Sequence, residues 1–249
     1  MNTTVTASPW IICPSPNALA QVRLFCFPYA GGGASVFRTW SKSLPGHVEV
    51  CAIQLPGRES RFREPPLSQL PDILEALEQA IIPLLNKPFA FFGHSMGALI
   101  SFELAHRLYL RYQPVRLFVS ACAAPQVPDL KPPFYHLPDE AFVKELHDRY
   151  QGIPQAVMEE KELLALLLPV LRADITLENQ YRFTAKKRLA CPITVFGGLQ
   201  DKAVSRADLD AWREQTSSTF TLHMLPGDHF FLTNPNNPLL STIARDLNW

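Results

Sequence analysis

Short runs of β-branched and aromatic residues alternate with helical stretches along this sequence, and this alternation constrains the fold more than any other feature. Six runs have the length and composition of strands buried on both faces, at residues 22–27, 48–53, 89–92, 115–120, 193–196 and 220–225. Apolar residues recur at helical spacing between several of them, at residues 73–85, 98–110 and 209–215. The pattern predicts an α/β fold with a mostly parallel central sheet flanked by helices, and a ligand site at the carboxyl ends of the strands.

The alternation is interrupted between residues 126 and 187, where no good strand candidate occurs. Prolines punctuate the first part of this segment, and helical patterns follow at residues 140–150 and 161–181. Pro169 should bend or divide the second of these helices. We expect one domain, residues 1–249, that contains residues 126–187 as a helical lid insertion. The alternative is an additional buried helical layer, because apolar residues at helical spacing usually lie in a core.

The charge balance narrows the range of partners. Lys and Arg together number 23, as do Asp and Glu, so the formal net charge is zero and neither nucleic acid nor a membrane surface is the expected partner. No apolar run approaches the roughly 20 residues that a membrane-spanning helix needs. The first twenty residues contain no Lys or Arg and lack the layout of a secretory signal, which favours a cytoplasmic protein. The five cysteines are far apart and form no CxxC pair, so neither a disulfide scaffold nor a metal site is expected.

The strongest local motif is Gly93-His94-Ser95-Met96-Gly97, which lies between a predicted strand and a predicted helix. G-x-S-x-G in this context is typical of a sharp turn that exposes a nucleophilic serine. The N–H of Met96 would lie at the positive end of the following helix, where it can stabilise an oxyanion. Ser95 is therefore the candidate nucleophile.

A serine hydroxyl needs a base that accepts its proton. Of the seven histidines, His229 is the best candidate, because it lies on the loop after the last predicted strand, at the carboxyl edge of the sheet. His94 adjoins the serine, but its side chain should leave the turn in another direction, which favours a packing or supporting role. The imidazole of His229 in turn needs a carboxylate.

Asp201 is the best candidate for this carboxylate, because it ends the loop that follows the predicted strand at 193–196. Asp228 adjoins the histidine too closely to reach its distal nitrogen easily. The order Ser95, Asp201, His229 is the order expected of an α/β-hydrolase fold.

A second oxyanion donor should come from the loop after an early strand. Pro28-Tyr29-Ala30-Gly31-Gly32-Gly33 is such a loop, and the N–H of Ala30 is the candidate that would join that of Met96. The loop lacks both G-x-G-x-x-G and G-K-[ST], so a nucleotide site is disfavoured.

Several motifs together resemble those of the type II thioesterases, the discrete editing hydrolases that accompany nonribosomal peptide and polyketide synthases. They are FPYAGG at 27–32, QLPGRE at 54–59, GHSMG at 93–97, LRAD at 171–174, FGG at 196–198 with Asp201, and GDHF at 227–230. The resemblance implies a thioesterase that hydrolyses acyl or aminoacyl groups from the phosphopantetheine arm of an acyl or peptidyl carrier protein. It also implies a mobile lid over an acyl chamber, and no metal or organic cofactor is required. We expect a monomer.

Some polar residues have an ambiguous role in this resemblance. Arg58 could contact substrate or form a salt bridge in its loop, and Asp174 is better explained as a helix cap or an ion pair than as a catalyst. Arg61, Arg63 and the basic residues 186–188 could meet an acidic carrier protein, although solvated surface charges are the default interpretation.

Three alternatives remain open from the sequence. A free-ester or lipid hydrolase would use the same Ser95, Asp201 and His229. An integrated, product-releasing thioesterase domain is a second possibility, although the start at Met1 and the absence of carrier sequence favour a free-standing protein. A non-catalytic binding protein on the hydrolase fold is the third.

Overall fold

The computed structural model describes residues 8–151, 160–234 and 236–248. Within these residues, seven strands form one sheet in the order β1-β3-β2-β4-β5-β6-β7. The first strand pairs antiparallel with its neighbour, and the other pairs are parallel. The strands are β1 (Ile11–Ile12), β2 (Val22–Phe27), β3 (Val48–Ile53), β4 (Phe89–His94), β5 (Arg116–Ser120), β6 (Ile193–Gly198) and β7 (Phe220–Leu225).

Helices connect most of these strands. The α-helices are α1 (Trp40–Ser43), α2 (Leu70–Ile81), α3 (Met96–Leu108), α4 (Asp139–Tyr150), α5 (Lys161–Gln180), α6 (Arg206–Asp210) and α7 (Leu239–Asp246). Short 3₁₀ turns add Ala34–Phe37, Glu59–Arg61, Ile82–Leu84, Ala211–Gln215 and Phe231–Thr233. The sheet and its flanking helices have the α/β-hydrolase architecture that the order of the site residues predicts.

The central strands are buried on both faces, as their apolar runs predict. Successive side chains of β2 alternate between two hydrophobic cores: Phe25 and Phe27 pack into one, Leu24 and Cys26 into the other. All four side chains are 1% exposed or less. Because full burial of each large apolar side chain contributes about 1.5–3 kcal/mol, these two cores fix the strand register firmly.

The predicted strands and helices agree with the observed ones apart from their ends. β4 and β6 continue to His94 and Gly198, beyond the predicted ends, and α3 already begins at Met96. Besides the short 3₁₀ turns, three elements are absent from the sequence prediction. β1 and α1 have two and four residues, too few for a periodic pattern, and α7 near the carboxyl terminus packs Leu239 and Ile243 into the core.

The segment between β5 and β6, residues 121–192, is here called the β5–β6 segment. In its described part it contains α4 and α5 and no strand, and residues 152–159 lie outside the described residues. It has a small core of its own, formed by Phe134, Phe142, Val143, Leu146, Leu171 and Ile175. Helix α5 runs through Pro169 as one element, so of the two predicted effects of this proline, a bend or a division of the helix, the division is wrong. No helix in the described part is long and apolar enough to cross a membrane.

Candidate active site

Ser95 lies at a sharp turn between β4 and α3. Its backbone has φ 53° and ψ −120°, a left-handed region that non-glycine residues rarely adopt. The Ser95 N–H donates to the Ser120 carbonyl at 2.8 Å, and the Ser95 carbonyl accepts from the Ala98 N–H at 2.9 Å. Such backbone strain persists only where surrounding contacts enforce it, and here hydrogen bonds hold both the N–H and the carbonyl of Ser95.

Two glycines allow the backbone to approach the serine closely. A Cβ on Gly97 would lie 2.1 Å from the Phe27 carbonyl oxygen, so only glycine lets the start of α3 pack on the end of β2. A Cβ on Gly198 would lie 2.4 Å from the Asp228 carbonyl oxygen. The first contact brings the loop after β2 beside the serine, and the second brings the loop that carries His229 across the end of β6.

Three side chains from separate loops meet at this edge of the sheet. His229 Nε2 lies 3.1 Å from Ser95 Oγ, and His229 Nδ1 lies 2.9 Å from Asp201 Oδ2. The side chains of His229 and Asp201 are 3% and 1% exposed. The other carboxylate oxygen of Asp201 accepts from the N–H groups of Ala203 and Val204 at 2.8 and 3.3 Å. The structure therefore brings together the three residues that the sequence selects, with the distances that proton transfer requires.

His94 supports this arrangement from behind. Its Nε2 donates to the His229 carbonyl at 2.9 Å, and its Nδ1 lies 2.9 Å from Ser120 Oγ, which then donates the proton of that bond. Complete burial, together with the neighbouring His229, lowers the pKa of His94 well below its usual range, so the ring is neutral. The supporting role predicted for His94 thus has a specific form, because its ring holds the backbone carbonyl of His229.

The loop after β2 contains the second candidate oxyanion donor, the N–H of Ala30. A turn closed by the Gly32 N–H and the Tyr29 carbonyl, 2.9 Å apart, contains Ala30, whose own N–H takes no part in that bond. The N–H of Met96 belongs to the first turn of α3, where N–H groups have no acceptor within the helix. Ala30 and Ser95 line the same pocket, so both predicted oxyanion loops lie beside Ser95.

Asp174 connects the β5–β6 segment to this loop and to the loop after β3. Asp174 on α5 accepts two hydrogen bonds from the guanidinium of Arg58, at 2.6 and 2.9 Å, and Asp174 Oδ2 also accepts from the Gly31 N–H at 2.7 Å. Both side chains are buried. Arg58 is thus a salt-bridged residue and Asp174 its partner, two interpretations that the sequence left open. Their pairing across 116 positions of the chain could not be read from the sequence.

A small cavity lies between the sheet edge and the β5–β6 segment. Its volume is about 40 Å³, room for roughly three water molecules. The lining residues are Tyr29, Ala30, Ser95, Leu146, Tyr150, Leu171, Ile175, Glu178, His229 and Phe230. The Tyr150 ring lies 5.2 Å from the His229 ring, centroid to centroid. Sequence reasoning missed Tyr150 and Glu178, since helical periodicity does not identify which side chains of a covering helix face a site.

Two basic residues proposed for a carrier surface are engaged within the protein. Arg61 is 7% exposed, pairs with Glu64 and stacks on Trp10, with its guanidinium carbon 4.2 Å from the ring centroid. Lys186 pairs with Glu103. The expectation that Arg61 is a solvated surface charge is wrong, because its guanidinium is held by Glu64 and by the Gln54 carbonyl at 3.0 Å. Arg63, by contrast, is exposed.

Asp228, the other acidic residue weighed as a partner for His229, makes a different contact. Its Oδ1 accepts from the Phe230 N–H at 2.8 Å. Among the described residues, no group of three or more His, Cys, Asp or Glu side chains is arranged to hold a metal ion.

The sheet order, the strained serine and the loops that meet beside it define an α/β-hydrolase. Known structures share this fold over nearly the whole chain. The type II thioesterase BorB from the borrelidin biosynthetic cluster superposes with a TM-score of 0.87 at 33% identity, covering 96% of this chain and 98% of BorB. RedJ, a thioesterase from the prodiginine biosynthetic pathway in Streptomyces coelicolor, gives a TM-score of 0.86 at 35% identity, covering 95% of each chain.

Sequence comparison identifies the family. The gramicidin S biosynthesis protein GrsT of Aneurinibacillus migulanus is 47% identical over 240 residues, which cover 96% of this chain and 93% of GrsT. Residues 22–247 match the family model described as the thioesterase domain. The chain belongs to the thioesterase family and is a hydrolase that acts on thioesters. The type II resemblance carried by its motifs is confirmed by these relatives.

Proposed function

We propose that Ser95, His229 and Asp201 are the catalytic triad of this thioesterase. The observation that carries the proposal is the continuous chain of two contacts, Ser95 Oγ to His229 Nε2 and His229 Nδ1 to Asp201 Oδ2. Ser95 Oγ attacks the thioester carbonyl while His229 takes its proton, and Asp201 stabilises the imidazolium that forms. Attack yields a tetrahedral intermediate with a negative oxygen.

The N–H groups of Ala30 and Met96 are the proposed donors to that oxygen. One belongs to the loop after β2 and the other to the first turn of α3, whose helix dipole adds to the stabilisation. Collapse of the intermediate expels the thiolate, which receives the proton from His229. A water molecule, activated by the same imidazole, then hydrolyses the acyl-serine and releases the acid. The reaction as proposed consumes only water.

The proposed substrates are acyl or aminoacyl groups joined as thioesters to the phosphopantetheine arm of a carrier protein. The support comes from the relatives, which are named for the biosynthesis of gramicidin S, borrelidin and prodiginine. Removal of a wrong or stalled group would regenerate the carrier for the synthase. The partner in this proposal is an acyl or peptidyl carrier protein, and the reaction takes place in the cytoplasm with the enzyme as a monomer.

We further propose that residues 126–187 form a lid within a single α/β-hydrolase domain. Helices α4 and α5 cover the carboxyl edge of the sheet, and five residues that line the cavity come from them: Leu146, Tyr150, Leu171, Ile175 and Glu178. This region has a small core of its own, as a lid that moves relative to the sheet would.

A hydrolysis panel tests the proposed function. Carrier proteins loaded with acetyl, longer acyl and aminoacyl groups are compared with simple aryl esters, using the wild type and Ser95→Ala. We expect the carrier thioesters to be preferred and Ser95→Ala to lower kcat by about 10⁴-fold or more.

Three outcomes would contradict the proposal. Near-normal turnover by Ser95→Ala would reject the nucleophile. A strong preference for aryl esters would favour a free-ester hydrolase. Failure of a serine-directed phosphonate to label Ser95 in the wild type would favour a binding protein.

A further inference from the structure

Among the described residues that line the cavity, Glu178 is the one Asp or Glu. The residue lies on α5 and is only partly exposed. Among the described residues, no side chain or backbone N–H donates a hydrogen bond to this carboxyl group, and no Lys, Arg or His forms an ion pair with it. A carboxyl group held in a confined site without such partners is energetically unfavourable as an anion.

The neighbouring acid on the same helix has the opposite environment. Asp174, one turn earlier, accepts hydrogen bonds from both Arg58 and the Gly31 N–H. Because Asp174 is itself an acid, it cannot compensate a negative charge on Glu178. Burial, together with the negative charges of Asp174 and Asp129, raises the pKa of Glu178 to about 8. A cation that entered the cavity would supply the missing partner.

Ser95 and Glu178 line the same cavity, whose volume is about 40 Å³. When the thioester carbonyl lies at Ser95, the substituents on its adjacent carbon would enter this cavity. The cavity volume suits groups of a few heavy atoms, such as acetyl, glycyl or alanyl.

The aromatic residues of the cavity also favour a cation. Tyr29 and Tyr150 both line it, and an ammonium group over a tyrosine ring is attracted by the negative face of that ring. Burial and the nearby Glu178 raise the pKa of Tyr150, so its phenol stays neutral and contributes no competing charge.

We propose that Glu178 is a specificity-determining residue that pairs with the ammonium group of a short aminoacyl thioester and favours such substrates over neutral or anionic acyl groups of the same size. This inference rests on the proposed function, because it assumes that the thioester carbonyl is attacked by Ser95. An aminoacyl group carries its nitrogen on the carbon next to the carbonyl, so its ammonium group enters the cavity with that carbon. An acyl group that ends in a carboxylate brings no positive charge with which the Glu178 carboxyl group could pair.

The test compares two thioesters that differ only in charge. Alanyl and isobutyryl groups have the same shape, with an ammonium in one where the other has a methyl group. Each is loaded on a carrier protein and offered to the wild type, to Glu178→Gln, and to the matched control Glu162→Gln, whose site is exposed on the same helix. Initial rates at neutral pH give kcat/KM for every pair.

We expect Glu178→Gln to lower kcat/KM for the alanyl thioester by about tenfold or more, as the loss of a charge-assisted pair does. Its value for isobutyryl should stay within about twofold of the wild type, and Glu162→Gln should alter neither. Equal losses on both substrates, or no loss on alanyl, would overturn the inference while leaving the proposed function intact. If the wild type hydrolysed neither thioester, the proposed function would fail and the inference with it.

A measurement on the wild type alone covers the case in which the variant does not fold. Alaninamide and isobutyramide are tested as competitive inhibitors, and alaninamide should inhibit at a concentration at least about tenfold lower. Equal inhibition by the two amides would contradict a cation site at Glu178.

Discussion

The sheet edge that carries Ser95 and the β5–β6 segment that covers it are held in place by different forces. The residues at the edge follow strands whose side chains fill two large hydrophobic cores, and glycines fix the contacts between their loops. The β5–β6 segment has a small core of its own, contributes Leu177 and Leu189 to the first large core, and is also joined to the sheet by discrete polar contacts. Two of these are Asp174 with Arg58, and Tyr181 with Glu103 at 2.7 Å. The positions of the site residues are therefore fixed by backbone packing, whereas the position of the β5–β6 segment depends more on individual side-chain contacts.

The largest expected effect follows from a change at the sheet edge. Asp201→Asn keeps an oxygen for the Ala203 N–H but cannot hold the imidazole in the required tautomer. We expect kcat to fall by about 10⁴-fold, with the midpoint of thermal unfolding nearly unchanged. Steady-state kinetics and circular dichroism measure the two quantities. Asp210→Asn, at a surface pair with Arg213, is the matched control. A loss of less than tenfold would show that Asp201 is not the partner of His229.

The next effect concerns the contact between the two regions. Asp174→Leu leaves the buried Arg58 guanidinium unpaired, which should lower the free energy of unfolding by about 3–5 kcal/mol. The double variant Arg58→Met with Asp174→Leu removes both charges and should recover most of that loss. Its kcat should remain reduced, because the Gly31 N–H beside Ala30 still lacks its acceptor.

Chemical denaturation and kinetics of both variants separate stability from activity. Equal stability of the single and double variants would contradict the unpaired-charge explanation. Recovery of wild-type kcat in the double variant would show that the Gly31 contact does not position the loop.

The smallest effect is a pH dependence of stability that originates in the covering region. The pKa of Glu178 is about 8 in the folded protein, against an ordinary value of 4.5. Between these values the folded state holds a proton that the unfolded chain releases, so stability is present at low pH and is lost as the pH rises toward 8. Glu178→Gln removes this dependence.

Its unfolding midpoint should therefore rise relative to that of the wild type between pH 5 and pH 8, by several degrees. Thermal scans at intervals of one pH unit measure the difference, with Glu162→Gln as the control that should follow the wild type. Parallel curves for Glu178→Gln and the wild type would contradict the raised pKa.

The sequence predicts the sheet edge far better than the covering region, for a physical reason. Ser95 and His229 each stand at the end of a recognisable strand, and parallel strands bring their carboxyl ends to one edge whatever the intervening chain does. Their meeting therefore follows from local patterns and one topological rule. The short edge strand β1 escapes prediction because two residues carry no periodicity.

The contacts of the covering region depend on tertiary placement. Arg58 and Asp174 are both conspicuous in the sequence, but nothing local indicates that they pair. Arg61 looks like a surface charge because most arginines are, and only the fold reveals the Trp10 ring and the Glu64 carboxylate around it. Glu178 lies on a helix whose periodicity allows several orientations, so its position in the cavity depends on how that helix is docked.

The carboxylate of Asp174 connects the carboxyl-terminal half of α5 to the loops after β2 and β3. Moving the carboxyl-terminal half would break the bonds to Arg58 and Gly31 together, whereas the amino-terminal half carries the exposed Leu163 and Leu166. Between them stands Pro169, which has no N–H to donate within the helix. The amino-terminal half carries neither of these bonds, so substitutions there can change how the cavity is covered without changing the position of the loop beside Ser95.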